Sequence, residues 1–206
     1  MKKMLVFSVM AVLAFSSFAL AVPADPDPDG MSVYFDLAAT DFCAETVDGV
    51  YTPITAYLVV TNPSVDDLYI LAWEAQLVVE GNPTVPIPSG WTLTTGAQNF
   101  GSGDDYIVGT TSPPLAFTGD ATMLGSMTLA FIGYEVGPYA TFTVGRVPGS
   151  TSFPEGAGYS AAVGFPIPCQ HIFGAWGTPC AWVNGAGNCD TVANEEMTWG
   201  SVKSLY

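Results

Sequence analysis

TPITAYLVVTNPSVDDLYILAWEAQLVVEG, residues 52–81, contains the two most strand-like runs of the chain. Both runs are rich in β-branched and aromatic residues, which favour extended backbone. Between them, Asn62-Pro63 and Asp66-Asp67 are typical of a turn. We therefore predict strands over residues 53–61 and 68–80 that pair with each other as the central antiparallel pair of the fold.

The second of these runs also predicts which side is buried. Apolar and polar residues alternate along it, so successive side chains point to opposite faces. The face expected to lie in the core carries Leu71, Trp73, Ala75, Leu77 and Val79, and the face expected to be solvated carries Glu74, Gln76 and Glu80. This half-buried pattern is typical of an antiparallel sheet that covers a core on one side.

Further strand-like segments flank this region at intervals that suit a sandwich. They are residues 31–37, 91–95, 105–110, 114–117, 121–132, 139–146 and 159–165. In residues 121–132, Met123, Gly125, Met127, Leu129 and Phe131 oppose Thr122, Leu124, Ser126, Thr128 and Ala130. Helical periodicity is absent before residues 194–206, where a short helix is expected. The predicted fold is an all-β antiparallel sandwich, jelly-roll or immunoglobulin-like, over residues 31–166.

The N-terminus reads as an export signal. Lys2 and Lys3 precede an apolar run that ends in Ala19-Leu20-Ala21, a small-x-small cleavage pattern. A membrane anchor is the alternative, but the helix-breaking VPADPDPDG follows at once, and no basic stop-transfer residues accompany it. We predict a signal peptide over residues 1–21, hence a secreted, extracellular or cell-surface protein, with the periplasm as the alternative. After cleavage it would not span a membrane.

The charge balance excludes one class of partner. The chain has 4 Lys and Arg against 19 Asp and Glu, a formal net charge of −15. Nucleic-acid binding requires many basic side chains to neutralise phosphates, so it is excluded. Such an acidic surface suits a soluble extracellular protein.

Four cysteines in an exported chain predict two disulfides. Three pairings are open, and the sequence does not settle them. Cys180 and Cys189 flank a segment with the turn signal Asn184-Gly185, so we favour Cys180 with Cys189 and Cys43 with Cys169. Residues 167–206, rich in Cys, Trp and Gly, are expected to be an irregular segment and tail packed on the sandwich.

The acidic, proline-rich residues 22–30 are expected to form a solvated tether. They also carry a weak calcium pattern, since Asp25, Asp27, Asp29 and Asp36 occupy positions 1, 3, 5 and 12 of a calcium loop. Pro26 and Pro28 favour extended backbone, whereas such a loop must curl around its ion. We commit to no metal and no cofactor, with calcium as the alternative.

Catalytic signatures are lacking. His171 is the one histidine and lies next but one to Cys169, and no G-x-S-x-G motif is present, so a structural role for His171 is favoured. The acids that a glycoside hydrolase would need are Glu74, Glu80, Glu135 and Glu155, none of them in a motif. We predict that the protein is not an enzyme.

Binding fits the composition better, because aromatic residues make up 13% of the chain. Rings near predicted loops could hold a sugar or a protein, or could instead plug the ends of the sandwich. These rings are Trp91, Tyr106, Tyr134, Tyr139, Trp176 and Trp182.

The strand ending in TNP, the WEAQL pattern and the later GDATMLGSMTLAF together resemble cohesin-like and carbohydrate-binding-like β-sandwiches. The resemblance covers residues 54–163, and the chain is also similar to exported bacterial proteins that end in a tail like TWGSVKSLY. It implies a docking module, although the cystines and the single domain depart from cohesins, and no binding residue carries over.

The predicted function is therefore a secreted, non-enzymatic module that binds an extracellular protein or a glycan. A self-assembling subunit of a surface layer or filament is the first alternative, with residues 31–37 as an edge strand for strand addition. A small glycoside hydrolase is the second alternative.

Overall fold

The computed structural model describes residues 23–46, 52–65, 69–81, 90–110, 113–131, 140–161 and 165–185. Within these residues the regular structure consists of strands alone, so the all-β prediction is confirmed. The strands are β1 (Gly30–Tyr34), β2 (Cys43–Ala44), β3 (Thr52–Thr61), β4 (Tyr69–Gly81), β5 (Thr92–Leu93), β6 (Gln98–Asn99), β7 (Asp105–Gly109), β8 (Leu115–Ala116), β9 (Ala121–Phe131), β10 (Ala140–Gly145), β11 (Gly158–Ala161), β12 (Pro166–Pro168) and β13 (Pro179–Val183).

The smaller sheet has the order β1-β3-β9-β5. β3 is one of its two inner strands and pairs antiparallel with β1 on one side and with β9 on the other. The β-branched and aromatic run of the sequence therefore forms a strand that hydrogen-bonds along both edges, as its composition favours.

The larger sheet is built around β4. Gln76 pairs with Asp105 of β7 and with Gly145 of β10, so β7 and β10 lie on opposite sides of β4. Glu74 pairs with Ile107 of β7 and with Gly158 of β11, so β11 lies on the same side as β10. β10 and β11 are thus placed end to end along one side of β4, and residues 146–157 leave the sheet between them.

One prediction about these strands is wrong: β3 and β4 do not pair with each other. β3 belongs to the smaller sheet and β4 to the larger one. The chain turns away from the smaller sheet at Asn62, whose φ of 47° lies in the left-handed region that Asn tolerates. Two long apolar strands that follow each other in sequence therefore contribute one strand to each layer of the sandwich.

Two β-bulges change the predicted faces. A register shift in the pairing of β11 with β4 brings Ile70 into the core in place of the half-buried Leu71. A second shift, between β3 and β9, lets Leu124 be fully buried while Met123 is only partly buried. Each extra residue reverses the alternation on one side of the bulge. Trp73, Ala75 and Leu77 lie in the core as predicted.

The core lies between the inner faces of the two sheets. Trp73 of β4 stacks on Tyr106 of β7 with ring centroids 6.0 Å apart. Phe142 of β10 meets both Phe35 and Trp91 edge to face. Such ring pairs add specific geometry to the burial of apolar area that drives the two sheets together.

The segment after residue 166 is more regular than expected. It contains β12 and β13, and β13 lies inside the larger sheet between β10 and β2. Residues 180–183 of β13 are buried, which explains why this apolar stretch forms a strand. The helix expected at residues 194–206 and the signal peptide lie outside the described residues.

Both predicted disulfide pairings are contradicted. Cys169 and Cys180 are buried free thiols, whereas Cys43 is disulfide-bonded. The thiol of Cys180 is buried and donates to the carbonyl oxygen of Phe142 on the neighbouring strand β10, at 3.3 Å. It therefore faces a neighbouring strand rather than the following loop. Cys189 lies outside the described residues.

The prediction of a solvated tether is also wrong for residues 23–30, the N-terminal acidic segment. Asp25 and Asp29 are buried, while Pro26, Asp27 and Pro28 are exposed. Composition predicts solvation here, but backbone bonds hold the segment on the sandwich: Ala24 N–H donates to the carbonyl of Ala39, at 2.7 Å.

The edge strand proposed for self-assembly is not open along its whole length. β1 lies at the edge of the smaller sheet, but all five of its residues are buried. Met31 N–H donates to the carbonyl of Gln170, and Gly30 forms a parallel bridge with the same residue. Strand addition by a second copy would have to displace this contact.

Within the part of the chain that the structure describes, no helix has the length and apolar character to cross a membrane.

Candidate functional site

The four aspartates of the calcium pattern do not converge. Asp36 accepts hydrogen bonds from the backbone N–H groups of Thr40 and Asp41, so it closes a local turn. Asp27 is exposed, whereas Asp25 and Asp29 point inward. Among the described residues, no group of three or more His, Cys, Asp or Glu side chains is arranged to hold a metal ion.

Asp29 is held by the sandwich itself. Its Oδ1 accepts a hydrogen bond of 2.5 Å from the hydroxyl of Tyr159 on β11 and another of 2.9 Å from the backbone N–H of Ser64. Its own N–H donates to the carbonyl of Asn62. The Asn62 side chain in turn donates to the carbonyls of Asp25 and Asp27. These bonds join the N-terminal acidic segment to both sheets.

Asp25 lies in a buried polar nest. It is only 2% exposed, and its Oδ1 accepts from the backbone N–H of Asp27, at 3.0 Å. Within the described residues its Oδ2 has no hydrogen-bond partner, and neither do the hydroxyls of Tyr34 and Thr61. Burial raises the pKa of Asp25, and burial next to Asp25 raises the pKa of Tyr34. The nest therefore favours a neutral carboxyl, which could donate a proton to a hydroxyl.

Gly30 makes room for this nest. A Cβ at this position would lie 2.6 Å from Asp25 Oδ2 and still closer to Thr61 Oγ1. The close approach of the two side chains therefore depends on the missing side chain of Gly30.

His171 is built into the fold rather than exposed for catalysis. It is 4% exposed; its Nδ1 accepts from the N–H of Phe173 at 3.1 Å, and its Nε2 lies 3.2 Å from the carbonyl of Thr178. One nitrogen accepting and the other donating describe a neutral imidazole. Burial lowers the pKa of His171, consistent with that form.

The two free thiols are equally poorly placed for nucleophilic chemistry. Burial raises the pKa of both Cys169 and Cys180 above the ordinary value of a thiol. A reactive cysteine needs the thiolate, which burial disfavours.

The glutamates do not supply a glycosidase pair on β4. Glu74 and Glu80 lie six positions apart on one strand, which places them roughly 20 Å apart at about 3.3 Å per residue. Glycoside hydrolysis needs carboxyls about 5 to 9.5 Å apart. Glu155 is exposed in the loop between β10 and β11, and Glu135 lies outside the described residues.

A cleft with a volume of about 190 Å³ lies on the outer face of the larger sheet. Its floor is the solvent-facing side of β4, at Ala72 and Glu74. One wall is Ile107 of β7, and the other includes Phe153, from the loop between β10 and β11. Further lining comes from Val108, Ser152, Ser160 and Pro166. We call this feature the outer-face cleft.

The loop of residues 146–157 folds back over the sheet to form this cleft. Ser150 Oγ donates to Glu74 Oε2 at 2.6 Å and accepts from the N–H of Phe153 at 3.1 Å. A Cβ on Gly158 would collide with the ring of Phe153, so the glycine lets that ring lie against the strand. Local hydrogen bonds and one close approach thus fix the loop in place.

Exposed apolar side chains border the cleft. Ile107 is 39% exposed and Phe100 is 72% exposed, and the N–H of Phe100 donates to the carbonyl of Ile107. Ile107 lies on β7, and Phe100 directly follows β6, the strand that pairs with β7. Sequence reasoning missed both. A Phe and an Ile in short strands resemble core residues unless the partner strand is known.

The aromatic residues singled out from the sequence have a different role. Trp91, Tyr106 and Trp182 are buried, and Trp176 is partly buried against the core. Tyr134 and Tyr139 lie outside the described residues. The described rings are therefore packed in or against the core.

No protein-family model matches the chain, and no curated protein matches it. Among solved structures, the chain is similar to the sixth cohesin of scaffoldin B from Acetivibrio cellulolyticus, solved in complex with a Cel5 dockerin mutant. The match covers 77% of this chain and 99% of that one, at 9% identity and a TM-score of 0.41. The assignment of a sandwich to this chain rests on the pairing of its own strands into two sheets.

Proposed function

We propose that this protein is an exported, non-enzymatic β-sandwich module that binds a polypeptide partner through the outer-face cleft. The observation that carries the proposal is the combination of a preformed concave site with exposed apolar neighbours, Ile107 and Phe100. Exposed apolar side chains around a cleft are typical of a surface that is covered when a partner binds.

The positions of the residues that could take part in catalysis support the same proposal. His171 is buried with both ring nitrogens occupied by the fold, and Glu74 and Glu80 are too far apart to act together. The proposed location outside the cell depends on the predicted signal peptide.

Selection from a random displayed-peptide library tests this function. We expect peptides that bind the wild-type chain and bind Ile107→Asp at least about tenfold more weakly, since a charge would enter an apolar contact. Leu37→Asp is the matched control, because Leu37 is also an exposed apolar residue but does not line the cleft. Peptides that bind wild type and Ile107→Asp equally would contradict a site at the cleft.

A glycan array with the same three proteins addresses the other ligand class. Glycan binding that Ile107→Asp removes, in the absence of any peptide binding, would make the cleft a carbohydrate site. Growth of wild-type oligomers with concentration, abolished by Ile107→Asp, would instead make a second copy of the chain the partner.

A further inference from the structure

Among the described residues that line the outer-face cleft, Glu74 is the one acidic side chain. It is half-buried and is oriented by the hydroxyl of Ser150, which is itself fixed by the N–H of Phe153. This relay leaves the carboxylate in a defined position on the floor of the cleft. A carboxylate held in this way is preorganised for a cationic group.

No counter-charge for Glu74 is found in the described part of the chain. Of the four basic residues, only Arg146 lies there, and its guanidinium donates to the carbonyl of Pro154 at 2.7 Å. The chain as a whole carries a formal net charge of −15. A partly desolvated carboxylate without a cation favours an occupant that brings one.

The walls of the cleft suit the rest of such an occupant. Ile107 and Pro166 are exposed and offer apolar surface in the cleft, while Phe153 is buried behind it. Lys and Arg have apolar stems that pack on such surface while the charged end reaches a carboxylate.

We propose that the outer-face cleft binds a Lys or Arg side chain of the partner polypeptide, with Glu74 paired to its cationic group. The proposal rests on the proposed function and adds the chemical class that the cleft selects. Ile107 and Pro166 contact the stem of the bound side chain, and Ser150 keeps the carboxylate oriented.

Titration of the full chain with short capped peptides, followed by NMR, tests this inference. The probes are Gly-Gly-Arg-Gly-Gly, the same peptide with Lys, and the same peptide with citrulline, which is a neutral analogue of arginine. We expect the two cationic peptides to bind at least about fivefold more tightly than the citrulline peptide, as for a partly shielded ion pair.

Glu74→Gln should abolish that preference while keeping the fold, because its amide oxygen can still accept from Ser150. Glu155→Gln is the control, since it removes an equal charge from an exposed position in the loop of residues 146–157 that does not line the cleft. Equal binding of the arginine and citrulline peptides would overturn the inference. So would a preference that survives in Glu74→Gln, which would reflect only the net charge.

The same experiments distinguish a failure of the proposed binding function from a failure of the proposed specificity for Lys or Arg. If library peptides depend on Ile107 but contain no required Lys or Arg, the cationic specificity is wrong and the binding site stands. If neither library nor cationic peptides depend on Ile107 or Glu74, the proposed function itself is wrong.

Discussion

The N-terminal acidic segment and the outer-face cleft both contain carboxylates that are partly or fully removed from solvent, but the chain treats them in opposite ways. Asp29 receives donors from Tyr159 and Ser64, so the fold itself satisfies it. Glu74 receives one hydroxyl from Ser150 and lies on the floor of an open cleft. The difference shows that burial of an acid does not define a site. What matters is whether the chain supplies all of its partners.

If the first region is structural, its most crowded position should be the most sensitive to mutation. Gly30→Ala would place a methyl group against Asp25 Oδ2 and Thr61 Oγ1, and we expect a loss of about 3 kcal/mol in the free energy of unfolding. Urea unfolding measures it. Gly145→Ala in β10 is the control, because its added Cβ would meet its nearest neighbour at an ordinary 3.7 Å. Equal effects of the two changes would contradict a tightly packed nest.

Removing the donor to Asp29 should have the next largest effect. Tyr159→Phe deletes the buried hydroxyl that bonds this carboxylate, and a hydrogen bond to a charged group contributes about 2 kcal/mol. Tyr69→Phe is the comparison, since Tyr69 is 39% exposed. In thermal and urea unfolding, Tyr159→Phe should be clearly less stable than both the wild type and Tyr69→Phe. Wild-type stability in Tyr159→Phe would mean that water satisfies Asp29 equally well.

Because Asp25 lies in the polar nest, we expect that replacing its carboxyl group with an amide stabilises the fold. The pKa of this carboxyl is raised by burial, so the folded state binds the proton more tightly than the unfolded state. The resulting stability is present at acidic pH and is lost as the pH rises through the folded-state pKa. Asp25→Asn keeps an acceptor for Asp27 and adds a donor toward Thr61. We expect a gain of about 1 kcal/mol at neutral pH, the size of one buried hydrogen bond.

Unfolding midpoints measured from pH 4 to pH 8 check this sign. The wild-type midpoint should fall relative to that of Asp25→Asn as the pH rises through this range. Asp104→Asn, which changes an exposed carboxylate that does not act on Asp25, should follow the wild type. Parallel curves for wild type and Asp25→Asn would show that the Asp25 carboxyl is not driven toward its neutral form.

The smallest effect on stability is expected in the cleft. Glu74→Gln should change the free energy of unfolding by less than about 0.5 kcal/mol, because the Ser150 bond is kept and the sheet is unaltered. The same variant should lose its preference for cationic peptides. Calorimetry measures the change in stability, and the peptide titration measures the loss of preference for a cation. A large destabilisation by Glu74→Gln would place this residue with Asp29 among the structural acids.

The sequence was informative wherever a property is local. The bounds of β3, β4 and β9 follow from their apolar runs, and Trp73 and Leu77 lie in the core as the alternation predicts. It was misleading at Leu71 and Leu124, because an inserted residue reverses the faces and leaves no signature in composition. The pairing of β3 with β4 also could not be settled locally, since either strand could pair with its neighbour or cross to a second sheet.

The candidate site was not predictable for a related reason. Glu74 was one acid among 19, and nothing in its surroundings along the chain marks it. Its significance comes from Ser150 and Phe153, which lie far away in sequence and reach it because the loop folds back. The burial of Asp25 and Asp29 was missed likewise, because a proline-rich acidic segment is solvated unless distant donors such as Tyr159 are supplied.

The end-to-end placement of β10 and β11 along β4 has a consequence for protein engineering. Because β4 sets the register of both strands, we expect that the loop between them can be exchanged without changing the register of either strand. Such grafting has to keep the contacts that hold the loop, among them the acceptor that Glu74 offers to Ser150 and the bare backbone of Gly156 against Trp176 and of Gly158 beneath Phe153. Loop libraries that keep these contacts would turn this sandwich into a scaffold whose recognition surface varies while its frame stays constant.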